Sequence, residues 1–286
     1  MHAHTASPAV PFSFAGRHAS NLNRLYRELA YAFTHLDDGL LRRSVRAGLK
    51  HLPRAVGRRI KRLVWTLGTL AFGIIQFTLA LSAAVLRNRA GQFFREQSRL
   101  LRAKAGDTFA AVQRFLSDTF SAVIRNPQEN LPVFIVAMLG FLLGSGGLDG
   151  DGGLPDTDLA LGIGRHRSIA THSILIGAMV ETALVMLVCL ADDIHAALPA
   201  DHSPFWDRLK QYKTRLAASF ASGTALGLAY HLGMDATIQG GKAYADLPVN
   251  MPMEGHQILM GANAVAEGLH AGAKSGIAAR DREHPR

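Results

Sequence analysis

The sequence predicts an all-α protein: a membrane-embedded helical bundle preceded by a basic amphipathic helical region. Two observations carry this. The first is the distribution of apolar residues, because a hydrophobic fraction of 48% lies close to that of soluble proteins and decides nothing alone. From Leu63 to Leu86, 24 consecutive positions lack a charge, and a spanning helix needs about 20. Leu131 to Leu148 gives a second uncharged run of 18. Two further runs, Ile169 to Ala191 and Leu216 to Ala236, are apolar apart from a few polar and ionisable residues, notably His172 and Glu181 in one and His231 and Asp235 in the other.

The second observation is charge asymmetry. Residues 1–130 hold 20 Lys+Arg against 7 Asp+Glu, a balance of +13, while residues 131–286 hold 11 against 15, a balance of −4. The chain therefore divides into a basic N-terminal region with one apolar membrane segment, 63–86, and a helical membrane domain, 131–286. Basic residues beside an apolar run attract anionic lipid headgroups. Nucleic acid is the competing partner, but few aromatics interleave with the basic residues to stack on bases. Membrane lipid is thus the expected partner and a membrane the expected location.

Taken in order, residues 1–20 show no periodic apolar face and no basic-then-apolar secretory signal, so membrane insertion would rely on internal helices. Between Asn21 and Leu52, Leu22, Leu25, Leu29, Phe33, Leu36 and Leu40 recur at three- and four-residue steps among arginines, as in one or two amphipathic helices ended by Pro53. The 63–86 run has basic residues on both flanks, which gives no orientation. Gly68, Gly73 and Gln76 leave open a hairpin in place of a span. Residues 91–125 read as a polar amphipathic helix stopped by Asn126-Pro127. The glycines from Gly144 to Gly153, interleaved with Asp149 and Asp151, form a loop. The single cysteine, Cys189, has no intrachain partner and reads as packing.

Chemistry concentrates after that loop. Asp156 and Asp158 follow Pro155, and their hard carboxylate oxygens suit a divalent cation. His166 and His172 stand six residues apart, about 600° of helix, so they converge only if His166 lies in a loop and His172 in an early helical turn. Thr171 or Ser168 would then cap that helix, and Ser173 would orient an imidazole. His231 and Asp235, at i and i+4, share one face and can reach one ion. Gly223 and Gly227 continue that face and admit a neighbouring helix. Ionisable groups inside apolar runs are costly and point to function.

Together Leu154-Pro155-Asp156-x-Asp158, His166-Arg167-x3-Thr171-His172-Ser173 and His231-x3-Asp235-x-Thr237-x2-Gly240 resemble the bacterial membrane-bound metal-dependent hydrolases called YdjM-like, over about residues 131–252. Two departures stand out: Leu159 occupies a position where the family pattern has histidine, and the 131–148 run has no histidine. His35 and His256 are the candidate substitutes. The family is similar to helical zinc phospholipase C and P1 nuclease enzymes, which implies phosphoester chemistry by analogy. The expectation is a hydrolase in which Asp156, Asp158, His166, His172, His231 and Asp235 bind divalent metal, of the zinc type, that activates a water. Arg167 would hold a phosphate oxygen of a lipid phosphoester, and Asp151, or Asp149, would serve as a general base. Two other readings are a non-enzymatic membrane protein with a structural metal or polar cluster, and an ion or proton pathway involving Glu181. Glu181 lies about 180° around the helix from His172 and falls outside the same site.

Overall fold

The structure, a computed structural model, describes residues 18–147, 152–161, 167–237, 244, 246–247 and 250–272. Among them are seven α-helices and no strand: α1 His18–His35, α2 Asp38–Leu86, α3 Ala90–Arg125, α4 Pro127–Ser145, α5 Ile174–Ala197, α6 Pro204–Thr237 and α7 Met253–Ala271, with a 3₁₀ turn at Pro155–Leu161. The all-α expectation holds. Three helices are long and apolar enough to cross a membrane: α2 from Gly39, α4 and α5. The second half of α6, expected as a fourth apolar helix, is not among them, because Gly, Ser and Thr dilute its apolar residues. Those small residues serve packing instead.

Pro53 does not end the N-terminal unit as its sequence position suggests. It sits inside α2, a single helix of 49 residues capped by the Asp37 side chain, which accepts from Gly39 N. A proline removes one backbone hydrogen bond and strains the preceding turn. Here buried His51 and Ala55 on either side, with Arg59 just beyond, are fastened to the bundle, and these tertiary contacts hold the two halves in line. The same helix runs unbroken through Gly68, Gly73 and Gln76, so the chain makes no hairpin there. No residue of its apolar stretch is buried, and Trp65 and Phe72 are 61% and 63% exposed. α3 ends at Asn126-Pro127 as its sequence predicts.

What positions the candidate site is the α4–α6 contact. Gly140 and Gly144 of α4 lie against Phe220 and Thr224 of α6, while Gly223 and Gly227 lie against Ala137 and Phe141. A Cβ at any of these four glycines would overlap a backbone carbonyl of the other helix. Both sequences advance in the same direction along the contact, so the helices are parallel and their C-terminal ends arrive together. α5 starts at that end and α7 begins beside it. Leu232, Tyr244, Met260 and Ala264 close the α6–α7 contact, and Val185, Ala217 and Ala221 close α5 on α6.

A second polar layer lies further along α5. Arg59, 1% exposed, donates Nη1 to Glu181 Oε2 at 2.6 Å and Nε to Glu267 Oε1 at 2.7 Å. Glu181 also accepts from Arg58 at 2.5 Å, and His51 stands 2.9 Å away. Glu267 packs against Gly177, where a side chain would collide with the carboxylate. These contacts tie α2 to α5 and α7. α1 is clamped separately: Glu28 accepts from Ser203 N and Trp206 Nε1 at the start of α6.

Candidate metal centre

Four side chains meet where α4 and α6 end and α5 begins. Asp156 is presented by the 3₁₀ turn, which folds back on α4: Leu154 N donates to Leu143 O at 2.8 Å. The return requires glycine. Gly152 and Gly153 have φ of 94° and 76°, and a Cβ on Gly153 would stand 2.7 Å from Gly146 N. Gly152 N in turn donates to Asp156 Oδ2. His172 comes from the turn before α5, and His231 and Asp235 come from successive turns of α6.

Asp156 Oδ1 lies 3.5 Å from His172 Nε2 and 3.8 Å from His231 Nε2. Asp235 Oδ2 lies 3.6 Å from both of those nitrogens. These separations are too long for good hydrogen bonds. They match atoms sharing a cation, since two ligands each about 2.1 Å from a tetrahedral ion stand about 3.4 Å apart. Asp156, His172 and His231 each offer one ligand atom, all within 4.8 Å of one another. Two carboxylates and two neutral imidazoles also balance the charge of a dication. The residues fit a divalent metal.

The outer nitrogens are engaged on the far sides. His231 Nδ1 is 3.3 Å from Ser145 O, a carbonyl that can only accept, so the proton sits on Nδ1 and the Nε2 lone pair faces the cluster. His172 Nδ1 is 3.3 Å from Asp158 Oδ2 and 3.0 Å from Thr171 Oγ1. The same Asp158 oxygen accepts from Ser168 N at 2.9 Å and Thr171 Oγ1 at 2.7 Å. Asp158, expected as a ligand, therefore stands behind His172 in contact with its outer nitrogen. Ser168 and Thr171 do not cap α5. Ser173 does, accepting from Leu175 N.

Arg167 is also placed differently from its expected role. It is buried, with φ of 64°, and its Nη2 donates to Asp235 Oδ1 at 3.0 Å. It anchors Asp235 from the side away from the imidazoles. His166 and Asp151, with Asp149, lie outside the described residues. His35 is exposed and stacks on Tyr31, and His256 packs near Tyr244. Neither joins the cluster.

Sequence reading missed the struts. Tyr244 accepts no role from any periodicity, yet its N–H donates to Arg167 O and its hydroxyl to His172 O at 2.7 Å. Burial pushes its phenol well above the ordinary range. Asn263 of α7 donates to the Tyr244 hydroxyl and accepts from Ile174 N. Also missed were His195, His202 and Asp207 at the opposite end of α5 and α6. Their signal was a spacing of seven and then five residues across a short connection. No family model, curated protein or solved structure matches the chain.

Proposed function

We propose that this chain is a membrane-bound metal-dependent hydrolase of phosphoesters, with Asp156, His172, His231 and Asp235 holding a divalent cation of the zinc type. The convergence of those four side chains from the 3₁₀ turn, the turn before α5 and helix α6 is the observation that carries the reading. The resemblance of the three motifs to the YdjM-like family supports it and carries the expectation of a bacterial inner-type membrane, and the three helices long and apolar enough to cross a membrane support a site beside lipid.

A divalent cation in such a set lowers the pKa of a bound water and polarises the scissile group. The chain's own residues prepare for it. Asp158 and Thr171 fix the ring of His172, Ser145 O fixes the tautomer of His231, and Arg167 holds Asp235 in one rotamer while offsetting its charge. Asp156 is the most accessible of the four, its side chain 10% exposed against 0–3% for the others. Water and substrate therefore approach over the 3₁₀ turn. The basic flanks of α2 and the arginines of α3 favour an anionic lipid phosphoester as substrate class.

The test is hydrolysis of phosphomonoester and phosphodiester lipids in vesicles carrying the full chain. Hydrolysis is expected to stop on chelation, to return with Zn²⁺ and to be abolished in His172→Ala and His231→Ala. Activity that survives both substitutions, or an inert wild type across both lipid classes, overturns the reading.

A further inference from the structure

We propose a second divalent-cation site, formed by His195, His202 and Asp207 where α5 ends and α6 begins. His195 Nε2 lies 2.8 Å and His202 Nε2 lies 3.2 Å from the same oxygen, Asp207 Oδ1, and the two rings meet edge to face with centroids 5.2 Å apart. Both imidazoles thus aim the same nitrogen at one point. The three ligand atoms lie within 4.8 Å of one another. Ligands on a zinc ion stand about 3.4 Å apart, so shifts of some tenths of an ångström, chiefly of the exposed Asp207 side chain, accommodate the ion.

Its surroundings resemble a prepared ligand set. His202 Nδ1 is 2.9 Å from Pro199 O, an acceptor that keeps a proton on Nδ1 and frees Nε2 for a cation. The Pro199 carbonyl is in turn held by the turn itself, where His202 N donates to it at 3.1 Å. Glu28 of α1 fastens the same connection through Ser203 N and Trp206 Nε1, so the cluster rests on an ordered support. Lys210 Nζ stands 3.5 Å from His195 Nδ1 on an exposed stem that can swing away.

The donor set selects the ion class. Two imidazole nitrogens and one carboxylate oxygen favour Zn²⁺, Ni²⁺ or Cu²⁺ over Ca²⁺ and Mg²⁺, which prefer oxygen alone. With Asp207 61% exposed, the remaining coordination positions face solvent. The site is independent of the first. His172 precedes α5 and His195 lies in its last turn, and a separation of 23 positions corresponds to about 35 Å at helical rise. If α5 crosses the membrane, whose hydrocarbon core is about 30 Å thick, the two sites lie at opposite faces. The second would then act as a clip joining α5 to α6.

The test is Zn²⁺ and Ni²⁺ binding to the full chain in detergent, read in two ways. Titration of wild type against His195→Ala/His202→Ala is expected to show one equivalent fewer in the variant. The His172→Ala/His231→Ala protein is expected to keep that equivalent, so failure here is separable from failure of the catalytic reading. In wild type, carbethoxylation of His195 and His202, followed by peptide mass spectrometry, is expected to fall at least five-fold with Zn²⁺ and not with Mg²⁺. Equal stoichiometry in wild type and the His195→Ala/His202→Ala protein overturns the proposal, as does labelling that Zn²⁺ leaves unchanged. The labelling arm needs no variant to fold.

Discussion

Asp158 and His172 form a carboxylate–imidazole pair in which Asp158 Oδ2 stands 3.3 Å from Nδ1 while Nε2 faces Asp156 and Asp235. The pair sets both the tilt of the ring and the nitrogen it presents. Asp158→Asn keeps the shape but loses the charge that raises imidazole basicity. Metal affinity is expected to fall about 10–100-fold with the helical signal intact, measured by competition with a calibrated chelator. Unchanged affinity would remove Asp158 from the site.

Arg167 bonds to Asp235, so Arg167→Gln is expected to weaken metal retention as well as any turnover. A group that only gripped substrate phosphate would raise KM and leave metal content alone. Metal analysis and kinetics on the same preparation separate the two roles.

The α4–α6 glycines predict a sharp contrast. Gly227→Ala puts a methyl into the Phe141 carbonyl, and overpacking of this kind costs about 1–3 kcal/mol. Gly68→Ala and Gly73→Ala meet nothing within 4 Å and are expected to be neutral or stabilising by up to about 1 kcal/mol through helix propensity. Thermal unfolding in detergent, followed by circular dichroism, checks both.

Arg59 joins two carboxylates that are wholly buried, so Arg59→Met leaves Glu267 without the arginine that bonds it and Glu181 with Arg58 as its remaining arginine. Breaking a buried pair in this way costs about 3–5 kcal/mol. Burial pushes the Glu267 carboxyl up to about 7, against the pull of Arg59 and Arg62 and with Glu181 adding to the rise. The unfolded value is about 4.3. The folded state thus holds the proton more tightly, and this contribution to stability is full below about pH 4 and is lost as pH rises through 7. Glu267→Gln is expected to flatten that slope in unfolding measurements between pH 4.5 and 8. An identical slope would assign it to other groups, such as His270, which stands 3.1 Å from Glu181.

The long apolar runs and the proline after Asn126 made the helices legible, since each reflects a local preference that no distant contact reversed. Pro53 was misleading because tertiary anchoring at His51 and Arg59 outweighed the lost hydrogen bond. In the site, His231 and Asp235 could be paired from helical period alone. Asp156 and His172 had the right chemistry, but their convergence depends on the return at Gly152–Gly153, a tertiary event. Asp158 and Arg167 carried the residue types of a ligand and a phosphate clamp, and only the fold shows which atoms they touch. Tyr244 and Asn263 act through backbone groups and leave no pattern to read.

A metal centre formed by Asp156, His172, His231 and Asp235 is tested most directly by the metal content of the purified full chain, measured by mass spectrometry. Measuring it in the His195→Ala/His202→Ala background keeps the surface cluster from contributing. About one equivalent of a zinc-type metal per chain is expected, falling to background when His172→Ala and His231→Ala are added to a protein that still folds. A metal-free parent after loading with Zn²⁺, or an equivalent that survives both additions, would contradict the metal centre.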